Sequence, residues 1–438
     1  MSAAAGDVSW PPLPAHARTG GRPADEDEAA ERVLTRALGW LEAHLEWFAP
    51  PRWERFLPRR PFRPGPLLEL VGLVRVLEQT GVLPRHAPLS ARALDLAAQV
   101  AAGADFGHGL ARGDEFFPYH LNLVALLDLL GRPQPALRAA CQELLAADAG
   151  GHARPYKPVV NRIELRYFID RGGFTAPASL PDARTLHGQS IAALGPDLLQ
   201  LTESETYALT HVLFYMTDFG RHRRLPGGTA EAARLRETVQ VLLGVHLSRG
   251  SLDLLAELLL CATALDDGHG TGPTARQGWN ALARAQRPDG AVPSPVHRPE
   301  VMSGLSGEKA AAYLFGTCYH TTTVAVLAAA VRRRSLRLLP RPQDRRPEPP
   351  LPPLPCADPE EIRSWTRKAP EALRTAPPGG RAVWSSYLAP LLVLGVQARD
   401  PAVLADVTRA ADRLGHGDHP LLRAAAALCC ARSRRPPG

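Results

Sequence analysis

The feature that most constrains this chain is a rhythm in its hydropathy. Segments apolar on nearly every side begin near Leu67, Pro118, Tyr207, Asp253, Cys318 and Ser385, and the segment NRIELRYFID falls at Asn161, where one more is due. Between them lie segments with apolar residues on one face only, such as Leu34, Leu38, Leu41 and Leu45. A helix apolar all round is buried all round, whereas a helix with one apolar stripe sits between core and solvent. No alternating strand pattern with a hairpin turn occurs, so the fold class is all-α. Regular exchange of fully buried and half-exposed helices is what a helical-hairpin array requires. An open solenoid leaves both rows an exposed side, whereas a closed one encloses its inner row. The expectation is therefore an α/α toroid of six to seven hairpins.

Local signals punctuate the array. Thr202 and Glu205 have capping-box spacing ahead of TYALTHVLFYMT. Asp358, Pro359 and Glu361 spell a second helix start. Residues 1–28 lack a period and read as a flexible arm, 29–335 as the array, and 336–358 as a Pro- and Arg-rich linker. Residues 359–433 read as helices that close the ring or form a small lobe, and 434–438 as a tail.

Hydrophobic residues make up 45% of the 438 and charged residues 22%, which suits a large core and excludes wholesale disorder. The net charge of +7 comes almost wholly from arginine, since Lys157, Lys309 and Lys368 are the only lysines. Codon bias of a GC-rich genome explains this better than nucleic-acid binding, for which no motif is present. Six scattered cysteines, no CxxC, no apolar leader and no long uncharged apolar run point to a cytoplasmic chain with free thiols and no membrane partner.

The segment WNALARAQRPDGAV, Trp279 to Val292, is similar to the helix-then-turn units of the α/α toroid superfamily. With the hydropathy rhythm over residues 29 to 400, the chain resembles the protein prenyltransferase β subunits, terpene cyclases and lanthionine cyclases. HVLFYMTDFG is also similar to a segment of an uncharacterised actinobacterial family. The superfamily resemblance implies a central cavity, with zinc held by Cys and His in two of its branches. The chain lacks the paired Cys-His-Gly and Trp-Cys-Tyr-Gly patterns of the lanthionine cyclases and the Asp-x-Cys pair of the prenyltransferases.

Parallel inner helices gather their amino ends, with free N–H groups and partial positive charge, round one mouth. Polar residues in the first turns would face one another there: Glu69, Tyr119, His120, Glu164, Tyr207, His211, Asp253, Cys318, His320 and Tyr387. Imidazole and thiolate suit zinc or another first-row transition metal, so His120, His211, His320 and Cys318 are the candidate ligands. The three histidines and Asp218 are the candidate catalytic residues. Each also has a plain structural alternative: a hydrogen-bonded core histidine, a small core cysteine, or for Asp218 a helix-end ion pair with Arg221 or Arg223. Asp266 and Asp267 read as solvated helix-end residues, and FGHGLARG as a loop.

The resulting expectation is a tailoring enzyme of specialised metabolism. It would act on a peptide or apolar small molecule within the cavity, with or without metal. The alternative is a non-catalytic helical scaffold that binds a peptide or a partner protein.

Overall fold

The computed structural model describes residues 26–268, 270–338, 353–375 and 383–433. Most of the arm and of the linker, and the tail, lie outside them, whereas residues 26–28, expected in the arm, are already helical. The described residues contain helices and no strand. The main body is built on α1 (Glu26–Ala43), α2 (Gly65–Thr80), α3 (Pro88–Ala102), α4 (Phe117–Leu129), α5 (Pro135–Ala146), α6 (Val159–Gly172), α7 (Ala183–Gly188), α8 (Glu203–Thr217), α9 (Gly228–Arg249), α10 (Leu252–Ala264), α11 (Pro273–Ala285) and α12 (Gly307–Leu338), with a few short helices in the connections. The ambiguous NRIELRYFID is thus helical, within α6. FGHGLARG is no loop, since Ala104–Ala111 is itself a short helix.

The even-numbered helices contact one another in succession: α2 with α4, α4 with α6, α6 with α8, α8 with α10, α10 with α12, and α12 again with α2. The odd-numbered helices pack outside this circuit, α3 against α2 and α4, and α9 and α11 against α10. The first and last outer helices meet as well, because α1 packs on both α11 and α12. A side-chain clip fixes that meeting. Arg36 of α1 donates to the carbonyls of Arg287 (2.7 Å) and Pro288 (3.0 Å), in the turn after α11. Gly290 of that turn has φ +99° and packs directly on the Arg36 carbonyl, so a side chain there meets both strain and a clash.

Burial explains the hydropathy rhythm. Every residue of α10 except Asp253 is buried, and α4 is buried from His120 to Leu127. In α9 burial concentrates toward the carboxyl-terminal half. The helix α12 begins eleven residues before Cys318, so Cys318 and His320 lie about three turns inside it and not at its start. It is the one described helix long and apolar enough to cross a membrane, but 78% of its most apolar window is buried within the protein.

Further helices follow the linker: α13 (Pro359–Thr375), α14 (Ala389–Ala398), α15 (Pro401–Arg413) and α16 (Pro420–Ser433). They share a second apolar core with Val241 and Val245 of α9. The Trp384–Leu388 turn and α14 rest on α9 and do not enter the circuit of even-numbered helices. Tyr387 is accordingly far from the proposed mouth, stacked on Trp365.

Candidate functional site

The amino-terminal halves of the even-numbered helices are joined by polar side chains. The capping box starts α8, with the Thr202 amide donating to Glu205 (2.8 Å) and the Glu205 amide to Thr202 Oγ1 (3.2 Å). One turn on, the Tyr207 hydroxyl donates to Asp253 of α10. After a further turn, Thr210 Oγ1 donates to Glu257 (2.5 Å), and His211 Nδ1 stands 3.8 Å from the same carboxylate. Asp253 and Glu257 are four residues apart, hence on one face of α10. On the other side of His211, Glu164 of α6 accepts from Asn122 Nδ2 (2.9 Å) and from the Tyr215 hydroxyl. His320 of α12 meets Glu69 of α2 at 2.8 Å, while Arg60 holds the neighbouring Tyr319 hydroxyl (2.6 Å).

These groups are surrounded by protein yet open to solvent. His211 is 38% accessible, His320 40% and Glu69 34%, whereas Glu257 behind them is only 2% accessible. Accessible side chains within a packed body mark the wall of a recess. Its titration is uneven. Burial opposes a charge on His320, but Glu69, Glu257 and Asp253 outweigh it and raise the imidazole to about 9, so it is cationic at neutral pH. Burial pushes the carboxyls of Glu257 and Glu164 upward, partly offset in each by His211 and by hydrogen bonds.

The candidate residues separate into different places. His211 and His320 both come within electrostatic reach of Glu257. His120 does not join them. It is 4% exposed, donates from Nδ1 to the Phe116 carbonyl (3.0 Å) and lies between the rings of Phe62 and Phe106. Gly109 of the short helix covers its Nε2 so closely that a Cβ there would stand 2.7 Å away. Burial lowers its basicity, as for a core imidazole. Cys318 points to Thr317 and His297, away from His320, and burial pushes its thiol up to about 12. Among the described residues no three His, Cys, Asp or Glu side chains are placed to hold a metal ion. His120, His211, His320 and Cys318 therefore do not form the expected ligand set.

Asp218 belongs to the opposite end. It caps α8 in the left-handed region at φ 48° and is wholly buried. Its main partners are Arg75 of α2 (2.8 Å), Arg171 (2.9 Å) and the Tyr167 hydroxyl of α6 (2.6 Å), while Arg221 approaches only to 3.8 Å. Burial favours the neutral acid, but the arginines and Tyr167 prevail and hold Asp218 below the usual carboxylate range. Arg75 lies six residues beyond Glu69 on α2, about 9 Å further along the axis. The Arg75–Tyr167–Asp218 knot thus lies toward the carboxyl ends of α2, α6 and α8, while His211, Glu257 and His320 meet nearer the middle of α8, α10 and α12. Asp266 also departs from expectation. It is buried and accepts from the amides of Gly268 (3.0 Å) and Gly270 (2.9 Å), while Asp267 pairs with Arg236.

Residues 34–330, about two thirds of the chain, match the family described as a domain of unknown function, DUF6895. The chain belongs to the DUF6895 family. The match ends before the helices that follow the linker, so the DUF6895 region contains the whole polar recess and the Asp218 knot. No curated protein and no solved structure matches the chain.

Glu257, Asn122 and Tyr215 were not among the residues expected in the site. Glu257 carried a readable signal, as the only charge in the run LLAELLLCATA and one turn from Asp253. Asn122 and Tyr215 carried none, because a lone polar residue in an apolar helix does not reveal its partner.

Proposed function

We propose that the circuit of even-numbered helices is an α/α toroid, and that its amino-end recess is the active site of an enzyme that modifies a small molecule or peptide by proton transfer. In specialised metabolism such an enzyme would serve as a tailoring step. The reading rests on one observation: His211, open to a recess that also holds a cationic imidazole, stands 3.8 Å from Glu257, which is buried behind it. General acid–base work calls for a proton-holding group with an affinity moved toward neutral pH, and burial does this to Glu257 and Glu164. In this reading the Nε2 of His211 exchanges the substrate proton, its Nδ1 held by the Tyr207 carbonyl (2.8 Å), and the buried Glu257 stabilises the imidazolium that forms. His320, kept charged by Glu69, stabilises negative charge that develops on the substrate. The Asp218 knot adjoins this site, because its Tyr167 ring packs on Tyr215 at 5.1 Å, and it holds α2, α6 and α8 in register beneath the reacting groups.

The test is untargeted mass spectrometry of a bacterial small-molecule extract incubated with the protein. At least one ion should change with the wild type, and the change should slow by about a hundredfold in Glu257→Gln and His211→Gln. An extract left unchanged, or changed equally by both variants, refutes the reading.

A further inference from the structure

The recess is short of positive charge. His320 is matched by Glu69, and Arg60 is spent on Tyr319. Glu164, Asp253 and Glu257 remain, and among the described residues none of the three has an arginine or lysine partner. Their donors are neutral: Asn122 and Tyr215 for Glu164, Tyr207 for Asp253, Thr210 for Glu257. His211 acts on both Glu164 and Glu257, and His320, already paired with Glu69, reaches Glu257 and Asp253 only at longer range. Asp253 also acts on Glu257 as a like charge. Buried carboxylates that lack a counter-ion are costly, so the arrangement is incomplete by itself.

A second, separate sign comes from Asn122. It is fully buried, and while its Nδ2 is committed to Glu164, its Oδ1 has no donor. That leaves one buried acceptor without a donor next to the Glu164 carboxylate. Aromatic faces complete the wall. Tyr119 is 38% exposed and leans on Phe62, with Glu164 within electrostatic reach of its hydroxyl. Tyr207 and Tyr215 flank the His211 ring. Carboxylates supply charge and ring faces supply a quadrupole, and both attract the same partner, a cation carrying apolar bulk.

We propose that the ligand of this recess is a protonated amine on an apolar or aromatic body, its ammonium group seated against Glu164 and the open face of His211, with Glu257 adding negative charge from behind His211. The inference takes its location from the proposed active site but concerns binding alone. It names no bond made or broken.

Titration calorimetry at neutral pH tests it with phenethylamine as probe and with 2-phenylethanol and phenylacetate as its neutral and anionic counterparts. Phenethylamine should bind at least about tenfold more tightly than 2-phenylethanol, and phenylacetate should not compete. Glu164→Gln and Glu257→Gln should each weaken the amine by about tenfold or more, whereas the exposed Glu143→Gln should not. Circular dichroism melts of the same samples establish that the variants are folded. Equal or tighter binding of phenylacetate, unaltered amine affinity in both recess variants, or no amine binding up to about 10 mM overturns the proposal. Amine binding without any turnover in extracts would sink the proton-transfer reading and leave the amine pocket standing. Turnover of a neutral substrate, with no amine bound, would do the reverse.

Discussion

Replacing Glu69 by glutamine removes the charge opposite His320 and leaves the shape of the recess intact. The ordinary imidazole value is 6.5, and in the folded protein His320 stands at about 9 despite the burial that opposes it. At 1.36 kcal/mol per pH unit, that difference would be worth up to about 3 kcal/mol. Since 40% of the His320 side chain meets solvent, screening reduces this to about 1–2 kcal/mol. The sign follows from linkage. A group more basic when folded than when unfolded contributes its full stabilisation below about pH 6.5 and loses it as the pH rises through about 9. Urea unfolding should therefore show Glu69→Gln destabilised by about 1–2 kcal/mol at pH ~6 and by little at pH ~10. Carbon-13 histidine spectra, with the His320 signal assigned by its loss in His320→Gln, should give a wild-type midpoint near 9. That midpoint should fall by about one pH unit or more in the variant. A wild-type midpoint at or below the ordinary value, or the same midpoint in both proteins, would refute the electrostatic account of the recess.

Other outcomes follow from the same packing. Asp218→Asn leaves Arg75 and Arg171 facing a neutral group in a buried site, so it should cost about 3 kcal/mol or more in denaturant unfolding. Gly290→Ala forces a side chain into the left-handed region against the Arg36 carbonyl, and a loss above about 1 kcal/mol is expected by the same measurement. Thr202→Ala removes half of the capping box and should cost about 1 kcal/mol. Zinc or another first-row metal added to the purified protein should not raise its melting temperature, because His120, His211, His320 and Cys318 are not placed as a ligand set.

Most of the helices were legible from local pattern, but the one at Ala104–Ala111 and the early start of α12 at Gly307 were not. The start at Thr202, the stop at Gly131 (φ +78°) and the all-round burial of α10 follow from local chemistry that leaves little freedom. The site was legible only in outline. Glu69, Tyr207, His211, Asp253 and His320 were expected near gathered amino ends, and hydrogen bonds and charge do connect them. His120 sits at an equivalent position on α4 but turns toward Phe62 and Phe106, because the covering helix at Gly109 takes the space it would otherwise face.

By itself, the sequence determined that this chain is helical and which helices lose all contact with water, because hydropathy period and capping act within a few residues. Only the tertiary structure decided which polar groups meet. Pairs such as Glu69 with His320 and Arg75 with Asp218 lie far apart along the chain. Helix rotation, the extra amino-terminal turns of α12 and the packing of short covering helices set their encounter, and no local pattern records those quantities.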